Sequence, residues 1–224
     1  MKRLLNSQRF LFVIIVLLVL VGRSMFLDWY RVPTGSMKPT IFEGDFICVN
    51  RLAYDLKVPF TTFWISQWGD PKRNEIVVFN NPEGTDRLVK RVIGLPGDQI
   101  KLEGEQLWIN GELISYYPLP KQRFPSLSEQ DKKDHTTAAE QLLGLVHPVM
   151  FGPERRIPTI QGDYTVPAGH FFMLGDHRND SHDSRYFGAV PRRNMLGKAK
   201  AVVISLDPEN SWKPRWHRFF NGLQ

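Results

Sequence analysis

Residues 86–98 read Asp-Arg-Leu-Val-Lys-Arg-Val-Ile-Gly-Leu-Pro-Gly-Asp, and this stretch indicates the class of fold. A short apolar run with alternating side chains ends in a turn rich in glycine and proline, which is typical of a β-strand. Runs of this kind recur, and we predict strands at Phe46–Asn50, Glu75–Phe79, Arg87–Ile93, Gln99–Leu102, Leu107–Ile109, Glu112–Ile114, Phe171–Leu174 and Ala199–Leu206. The chain is therefore predicted to be mainly β, with an antiparallel β-sheet as its core.

Asn110-Gly111 predicts a type I′ hairpin between two of these strands, because both central residues of that turn need a positive φ.

A change in composition interrupts the strand pattern after this hairpin. The stretch 116–158 that follows is rich in proline and charge, and within it Thr137–Leu145 predicts a short helix. We therefore expect a catalytic core in two parts, 28–102 and 168–210, with a smaller inserted non-catalytic subdomain at 103–167 between them.

The N-terminal segment combines basic residues with a continuous apolar run, Phe10–Val21. One interpretation is a cleavable signal peptide with Gly22 and Ser24 at a small-x-small cleavage site. The other is a transmembrane helix over 10–27, whose 18 residues approach the roughly 20 that cross a bilayer. The segment alone favours neither. In the second case residues 1–9 stay in the cytoplasm and the rest of the chain lies outside the membrane.

The formal net charge is +6, and part of the basic residues lie near the two termini. This distribution suits anionic lipid better than a nucleic-acid groove. Aromatic residues accompany it, both at 60–68 and in the basic C-terminal tail 211–224. Aromatic residues of this kind are typical of a membrane interface, and packing on the core or a C-terminal clasp is an equal alternative. The single cysteine, Cys48, excludes an intramolecular disulfide.

Ser36 is the first candidate for chemistry. It lies in Pro-Thr-Gly-Ser-Met-Lys-Pro-Thr (33–40), where glycine and two prolines favour a rigid turn that could hold a nucleophile exposed. A plain loop is the alternative. The chain has neither a G-x-S-x-G nor an S-x-x-K motif, which excludes two classes of serine enzyme, while a Ser-His-Asp triad stays open because its members need no fixed spacing.

Lys90 is the second candidate. Strand alternation places Lys90 and Arg91 on opposite faces, so one of these cations points toward an apolar surface. Burial favours the neutral form of a lysine and lowers its pKa, as a general base at neutral pH requires. The alternative is an edge strand whose lysine reaches water.

The third candidate is the polar block 175–188, which reads Gly-Asp-His-Arg-Asn-Asp-Ser-His-Asp-Ser-Arg-Tyr-Phe-Gly. Ion pairs among Asp176, Arg178, Asp183 and Arg185 could make it rigid. Its two histidines and its carboxylates are competent metal ligands, but their spacing matches no common site and the interleaved arginines oppose a cation. We expect no metal here.

In their order and spacing, the stretches 33–40, 44–47, 90–98 and 175–188 resemble the bacterial type I signal peptidases over most of the chain. The resemblance implies a mostly β core, one membrane anchor, and hydrolysis of signal-peptide-bearing pre-proteins without a cofactor. It implies Ser36 as nucleophile and Lys90 as general base. The backbone N–H of Ser36 and the hydroxyl of Thr34 would form the oxyanion hole.

Further roles follow from the same resemblance. Ser181 would orient Lys90, and Asp176, Asp183, Arg185 and Arg91 would support the site through ion pairs. The substrate would bind as an added strand between 29–33 and 87–90, and its shallow pockets would be walled by Val32, Met37, Leu88 and Val89. Two departures from the family pattern are His177, where asparagine is common, and the order Asn179-Asp180.

These implications favour a monomer in the bacterial inner membrane, with its catalytic domain on the periplasmic side. Only nine positions separate Leu27 from Ser36, which keeps the site close to the bilayer. Two rivals stay open: a dedicated peptidase that matures one precursor, and an inactive membrane-tethered module that binds partners through its basic aromatic surfaces.

Overall fold

The computed structural model describes residues 8–16, 27–57, 64–153 and 160–223. Three α-helices lie in these ranges, α1 (8–16), α2 (Glu129–Asp134) and α3 (Ser184–Phe187), together with five short 3-10 helices. The strands are β1 (Leu27–Arg31), β2 (Asp45–Asn50), β3 (Asp55–Lys57), β4 (Trp64–Gln67), β5 (Ile76–Asn80), β6 (Arg87–Gly94), β7 (Gln99–Glu103), β8 (Gln106–Ile109), β9 (Glu112–Leu113), β10 (Ser115–Pro118), β11 (Thr136–Leu142), β12 (Leu145–Phe151), β13 (Ile160–Thr165), β14 (His170–Leu174), β15 (Val190–Pro191), β16 (Met195–Asp207), β17 (Lys213–Pro214) and β18 (Asn221–Gly222).

The main sheet is antiparallel and runs in the order β1-β2-β16-β5-β6-β14-β15, with β17 and β18 also paired to β16. Smaller sheets are β13-β7-β8-β9, β10-β11-β12 and β3-β4. Each of the eight predicted strands coincides with an observed one, so the prediction of a mainly β antiparallel fold is confirmed. Asn110 and Gly111 have φ values of 54° and 80° in the turn between β8 and β9, as the hairpin signal predicts.

The core lies on both sides of the long strands. One apolar cluster joins β2, β5 and β16 to Met37 and Ile41, which are both fully buried. A second cluster lies between β7, β8 and β14. Since burying one large apolar side chain contributes about 1.5–3 kcal/mol, Met37 and Ile41 fasten the turn that precedes them to the core.

The prediction of a short helix over Thr137–Leu145 is wrong. These residues form β11 and the start of β12, joined by a turn in which Leu143 and Gly144 have positive φ values of 48° and 86°. Ala, Glu, Gln and Leu favour helices intrinsically, but pairing with β10 on one side and β12 on the other overrides that preference. The turn at Leu143-Gly144 is a hairpin signal that the composition obscured.

No helix within the described ranges has the length and apolar character needed to span a bilayer. The predicted transmembrane helix over 10–27 lies partly outside the described residues, at 17–26, as does most of the predicted cytoplasmic segment 1–9. Part of the aromatic cluster at 60–68 lies outside them as well, while Trp64 and Trp68 are exposed on and just after β4. In the C-terminal tail, Trp216 and Phe220 are strongly exposed.

Candidate active site

Ser36 lies in a tight turn between β1 and β2. The backbone N–H of Lys38 donates to the carbonyl of Gly35 at 2.9 Å, and the next residues continue through hydrogen bonds to Met37 O. Ser36 itself is 8% exposed. The glycine and prolines of this stretch therefore form the rigid turn that the sequence predicts, with the hydroxyl at the edge of a cavity.

Lys90 lies in β6, where it pairs with Val77 of β5, and only 2% of it is exposed. Its Nζ is 2.5 Å from Ser36 Oγ. Burial lowers the pKa of Lys90 to about 8, and the carboxylates of Asp183 and Asp176 limit the decrease. The alternative of a lysine that reaches water is wrong, because the strand that carries it is covered on both faces.

The cavity beside this pair has a volume of about 420 Å³ and is lined by Thr34, Ser36, Leu88, Lys90, Asn179, Asp180, Ser181, His182 and Tyr186. Thr34 is exposed on its rim. Ser181 is buried, but its hydroxyl has no hydrogen-bond partner in the described part of the chain. The hydrogen bond predicted from Ser181 to Lys90 is therefore not formed in this structure, and the orienting role of Ser181 stays a prediction.

Two buried ion pairs lie near Ser36 and Lys90. Arg91 donates from Nε and Nη2 to both carboxylate oxygens of Asp176, at 2.8 Å and 2.7 Å, and Thr40 donates to the same carboxylate. Arg185 binds Asp183 in the same bidentate way, at 2.8 Å for both bonds. Burial alone would raise the pKa of each carboxyl, but the neighbouring arginine lowers it below its usual value. Both acids are thus held as carboxylates.

Gly175 explains how these elements come so close together. A Cβ at this position would lie 2.3 Å from Ser181 Oγ and 2.4 Å from the carbonyl oxygen of Ser36. Those distances are far below contact, so only glycine fits between the nucleophile turn and the polar block. Next to it, the backbone N–H of His177 donates to Ser36 O at 3.2 Å.

The sequence suggested that Arg178 pairs with Asp176 or Asp183. In the structure it pairs with neither. It forms a buried ion pair with Glu140 of β11, and Glu140 in turn lies 3.2 Å from His147 of β12. Sequence reasoning missed both residues. The available signal was the apolar surroundings of Glu140 in Thr-Thr-Ala-Ala-Glu-Gln-Leu (136–142), where a carboxylate on a buried strand face needs a partner.

The predicted pocket walls fall into two groups. Leu88 lines the cavity, and Val89 is half-buried against the first core cluster. Val32 and Met37 are 2% and 0% exposed within that same cluster. Both side chains lie in the core cluster, and their role as pocket walls stays a prediction.

The candidate metal ligands of the polar block do not converge. Asp183 is occupied by Arg185, whereas His182 points to Glu83 at 3.4 Å on the surface. His177 packs edge-on against His135, with ring centroids 4.9 Å apart. Within the described ranges no group of three or more histidine, cysteine or carboxylate side chains is arranged to hold a metal ion.

A buried serine and a buried lysine in hydrogen-bond contact, beside an open cavity of an antiparallel sheet, bring a nucleophile and a base together as a hydrolase with a serine nucleophile requires. The sequence profile of the family described as "signal peptidase, peptidase S26" matches residues 5–204. The chain belongs to this family of serine proteases.

Two sequence relatives agree with that assignment. The chain is 37% identical to the signal peptidase I of Pseudomonas aeruginosa, over 91% of this chain and 74% of that protein. It is 35% identical to the signal peptidase I of Pseudomonas fluorescens, with the same coverage of both chains. A solved signal peptidase I from Enterococcus faecalis is 28% identical, with a TM-score of 0.36 over 58% of this chain and 97% of that one.

Proposed function

We propose that this protein is a membrane-bound endopeptidase that removes N-terminal signal peptides from exported pre-proteins with a Ser36/Lys90 dyad. The observation that carries the proposal is the distance of 2.5 Å between Lys90 Nζ and Ser36 Oγ, at a lysine whose pKa is lowered to about 8 by burial. About half of the molecules then hold a neutral amine near pH 8. An exposed lysine would be protonated almost completely at that pH.

The neutral amine of Lys90 accepts the hydroxyl proton of Ser36 while Oγ attacks the carbonyl carbon of the scissile peptide bond. The resulting ammonium donates that proton to the leaving amine, and an acyl-enzyme remains. Lys90 then takes a proton from a water molecule, which attacks the ester and releases the signal peptide with its new carboxyl end. As the ester bond breaks, the ammonium of Lys90 donates its proton to Oγ of Ser36, and both residues return to their starting states.

The oxyanion of each tetrahedral intermediate would be bound by the backbone N–H of Ser36 and the hydroxyl of Thr34. The position of Thr34 on the rim of the same cavity supports this assignment. Donors that are fixed where negative charge develops stabilise the transition state by several kcal/mol. Asp176, Asp183, Arg91 and Arg185 hold the surrounding backbone and keep the electrostatic environment of Lys90 constant.

The substrate would bind as an extended strand between β1 and β6. In the described sheet β1 pairs only with β2, and residues 87–90 of β6 pair only with β5, so each has a free edge. The two strands come close to each other at Tyr30 and Arg87, where the guanidinium lies 5.1 Å from the centre of the tyrosine ring. Backbone hydrogen bonds along such edges hold a peptide without regard to its sequence, and Leu88 would contact a small side chain near the cleaved bond.

We place the enzyme in the bacterial inner membrane, with a single N-terminal span and a periplasmic catalytic domain. The apolar run before β1 supports this location, and so do exposed apolar residues on and near β1 and β4, among them Trp29, Trp64 and Trp68. A catalytic serine near the bilayer would meet the scissile bond of a pre-protein where it emerges beside its own membrane-embedded segment.

A precursor-processing assay tests this function. The purified full chain, in mixed micelles of detergent and lipid, is incubated with a pre-protein whose signal peptide ends in Ala-x-Ala. We expect cleavage after that motif, and we expect Ser36→Ala and Lys90→Ala to abolish it. Ser66→Ala and Lys101→Ala, which change residues on β4 and β7 away from the cavity, should cleave normally.

Two outcomes would count against the proposal. If the wild-type chain cleaves no signal-peptide-bearing precursor, the function is wrong and a binding role gains support. If Lys90→Ala keeps near-full activity, the function survives but the dyad does not. Assays on several unrelated precursors then separate a general enzyme from one dedicated to a single substrate.

A further inference from the structure

Helix α2, which belongs to the inserted segment 103–167, lies against the turn that carries Ser36. Its Asp131 accepts a hydrogen bond from Lys38 Nζ at 3.0 Å, and Glu43 lies 3.6 Å from the same amino group. The side chains of Lys38 and Asp131 are only 12% and 13% exposed. This ion pair is therefore largely shielded from water, unlike the surface pairs that contribute little.

The side chain of Lys38 folds back over Gly35, the residue before the nucleophile. A Cβ on Gly35 would lie 2.9 Å from Cε of Lys38 and 3.2 Å from its Cδ. The backbone N–H of Lys38 also donates to Gly35 O at 2.9 Å. Lys38 thus lies against Gly35 with both its backbone and its side chain, while its amino group is bound to Asp131.

The other end of α2 reaches Ser36 by a second route. His135, the residue that ends the helix, packs against His177, whose backbone N–H donates to Ser36 O at 3.2 Å. Asp131 is itself fixed, since Ser128 caps the helix and accepts from the Asp131 N–H at 3.0 Å. The inserted segment therefore holds the nucleophile from both sides.

We propose that Asp131 is a positioning residue, which acts through Lys38 to keep Ser36 Oγ at hydrogen-bond distance from Lys90 Nζ. The inserted segment would then contribute to catalysis by fixing the nucleophile, although none of its side chains lines the catalytic cavity. The proposal rests on the proposed Ser36/Lys90 dyad. It assigns a role to a part of the chain that the resemblance to signal peptidases leaves without one.

Kinetics on four variants test this role. Asp131→Asn and Lys38→Met should each lower kcat on the order of tenfold, because small displacements of a reacting atom are costly, while KM stays within about twofold. The double variant should show the same loss as either single variant, because the proposed effect of Asp131 passes through Lys38. Asp131→Glu, which keeps the charge, should recover most of the kcat.

Glu129→Gln is the matched control. Glu129 pairs with Lys132 at 2.7 Å on the same helix, but it is 90% exposed and faces away from the turn, so kcat should not change. All assays are run at a temperature where urea unfolding shows every variant to be folded. A kcat of Asp131→Asn within about twofold of wild type, or losses that multiply in the double variant, would overturn the proposal.

A second measurement does not depend on any substrate. Amide hydrogen exchange at Lys38 and Ile41, whose N–H groups close the turn, should be faster in Asp131→Asn than in Glu129→Gln. Unchanged exchange would refute the positioning role even if the protein cleaved no precursor. Conversely, cleavage by Ser36→Ala would refute the dyad. The exchange rates of the turn would still test the positioning role of Asp131.

Discussion

Lys90 Nζ and Ser36 Oγ lie 2.5 Å apart, although the two residues are separated by 54 positions in the sequence. The contact exists because β6 is a central strand and because the turn of Ser36 is fixed to the core through Met37. Lys90 is thereby removed from water without a carboxylate in direct contact. Burial disfavours the charged form of Lys90, which lowers the stability of the fold. The neutral amine that results can accept a proton.

The pH dependence of cleavage follows from this pKa. Lys90 acts as a base only when it is neutral, so kcat/KM should rise with pH on an ascending limb with an apparent pKa near 8. The measurement is a pH–rate profile between pH 6 and pH 10 on one precursor. An ascending limb near the usual pKa of histidine, about 6.5, would instead indicate a histidine base.

Lys90→Met should stabilise the protein while abolishing its activity. The pKa of Lys90 is about 8 in the folded chain against 10.5 when exposed, so the folded state binds fewer protons between these values. The cost of burying the charge, on the order of 3 kcal/mol, is fully present below pH 8 and disappears as pH rises through 10.5. Urea unfolding at pH 7 should show a higher free energy of unfolding for Lys90→Met than for the wild type. This difference should be smaller at pH 10. An equal gain at both pH values would mean that packing, not charge, is responsible.

Thr34→Val tests the second donor of the oxyanion hole. Valine has nearly the shape of threonine but no hydroxyl, so we expect kcat to fall by about 10²–10³ with little change in stability, because Thr34 is exposed. Thr85→Val, at another exposed threonine outside the cavity, is the control. If Thr34→Val cleaves within twofold of the wild-type rate, some other group completes the oxyanion hole.

The sequence predicted the strands well because their alternation and turn residues are local signals. It also predicted that one of Lys90 and Arg91 faces an apolar surface. In the structure both are buried, since β6 is covered on both faces and Arg91 finds Asp176 and the carbonyl of Asn74. The position of Asp176 depends on how β14 pairs with β6, and strand alternation carries no information about that pairing.

The segment predicted as an insertion, 103–167, was the least predictable part of the chain. Its structure also depends on pairing between strands, which local sequence does not specify. Strand β11 contains several helix-favouring residues, and it forms because β10 and β12 pair with its two sides. The ion pairs of Asp131 and Glu140 join residues that lie far apart in sequence, Lys38 and Arg178. Likewise, the burial of Val32 and Met37 in the first core cluster depends on the neighbouring strands, whose pairing the local sequence does not specify.

The C-terminal tail offers a final prediction, because the sequence left a lipid contact and a clasp on the core as equal alternatives. Arg218 Nη2 donates to Asp45 at 2.6 Å and to Thr40 O at 3.0 Å, and Asp45 is completely buried. Arg218→Gln removes the charge that pairs most closely with that carboxylate, so we expect a loss of about 3 kcal/mol in the free energy of unfolding.

Trp216→Ala is the matched control in the same tail, since 72% of Trp216 is exposed and its loss should cost less than about 0.5 kcal/mol. Urea unfolding of the full chain measures the stability of both variants and so tests the clasp. Binding to vesicles of anionic lipid tests the lipid contact. A stable Arg218→Gln would exclude the clasp. Weaker vesicle binding by Trp216→Ala with unchanged stability would mean that the arginine side of the tail holds the core while its tryptophan side contacts lipid.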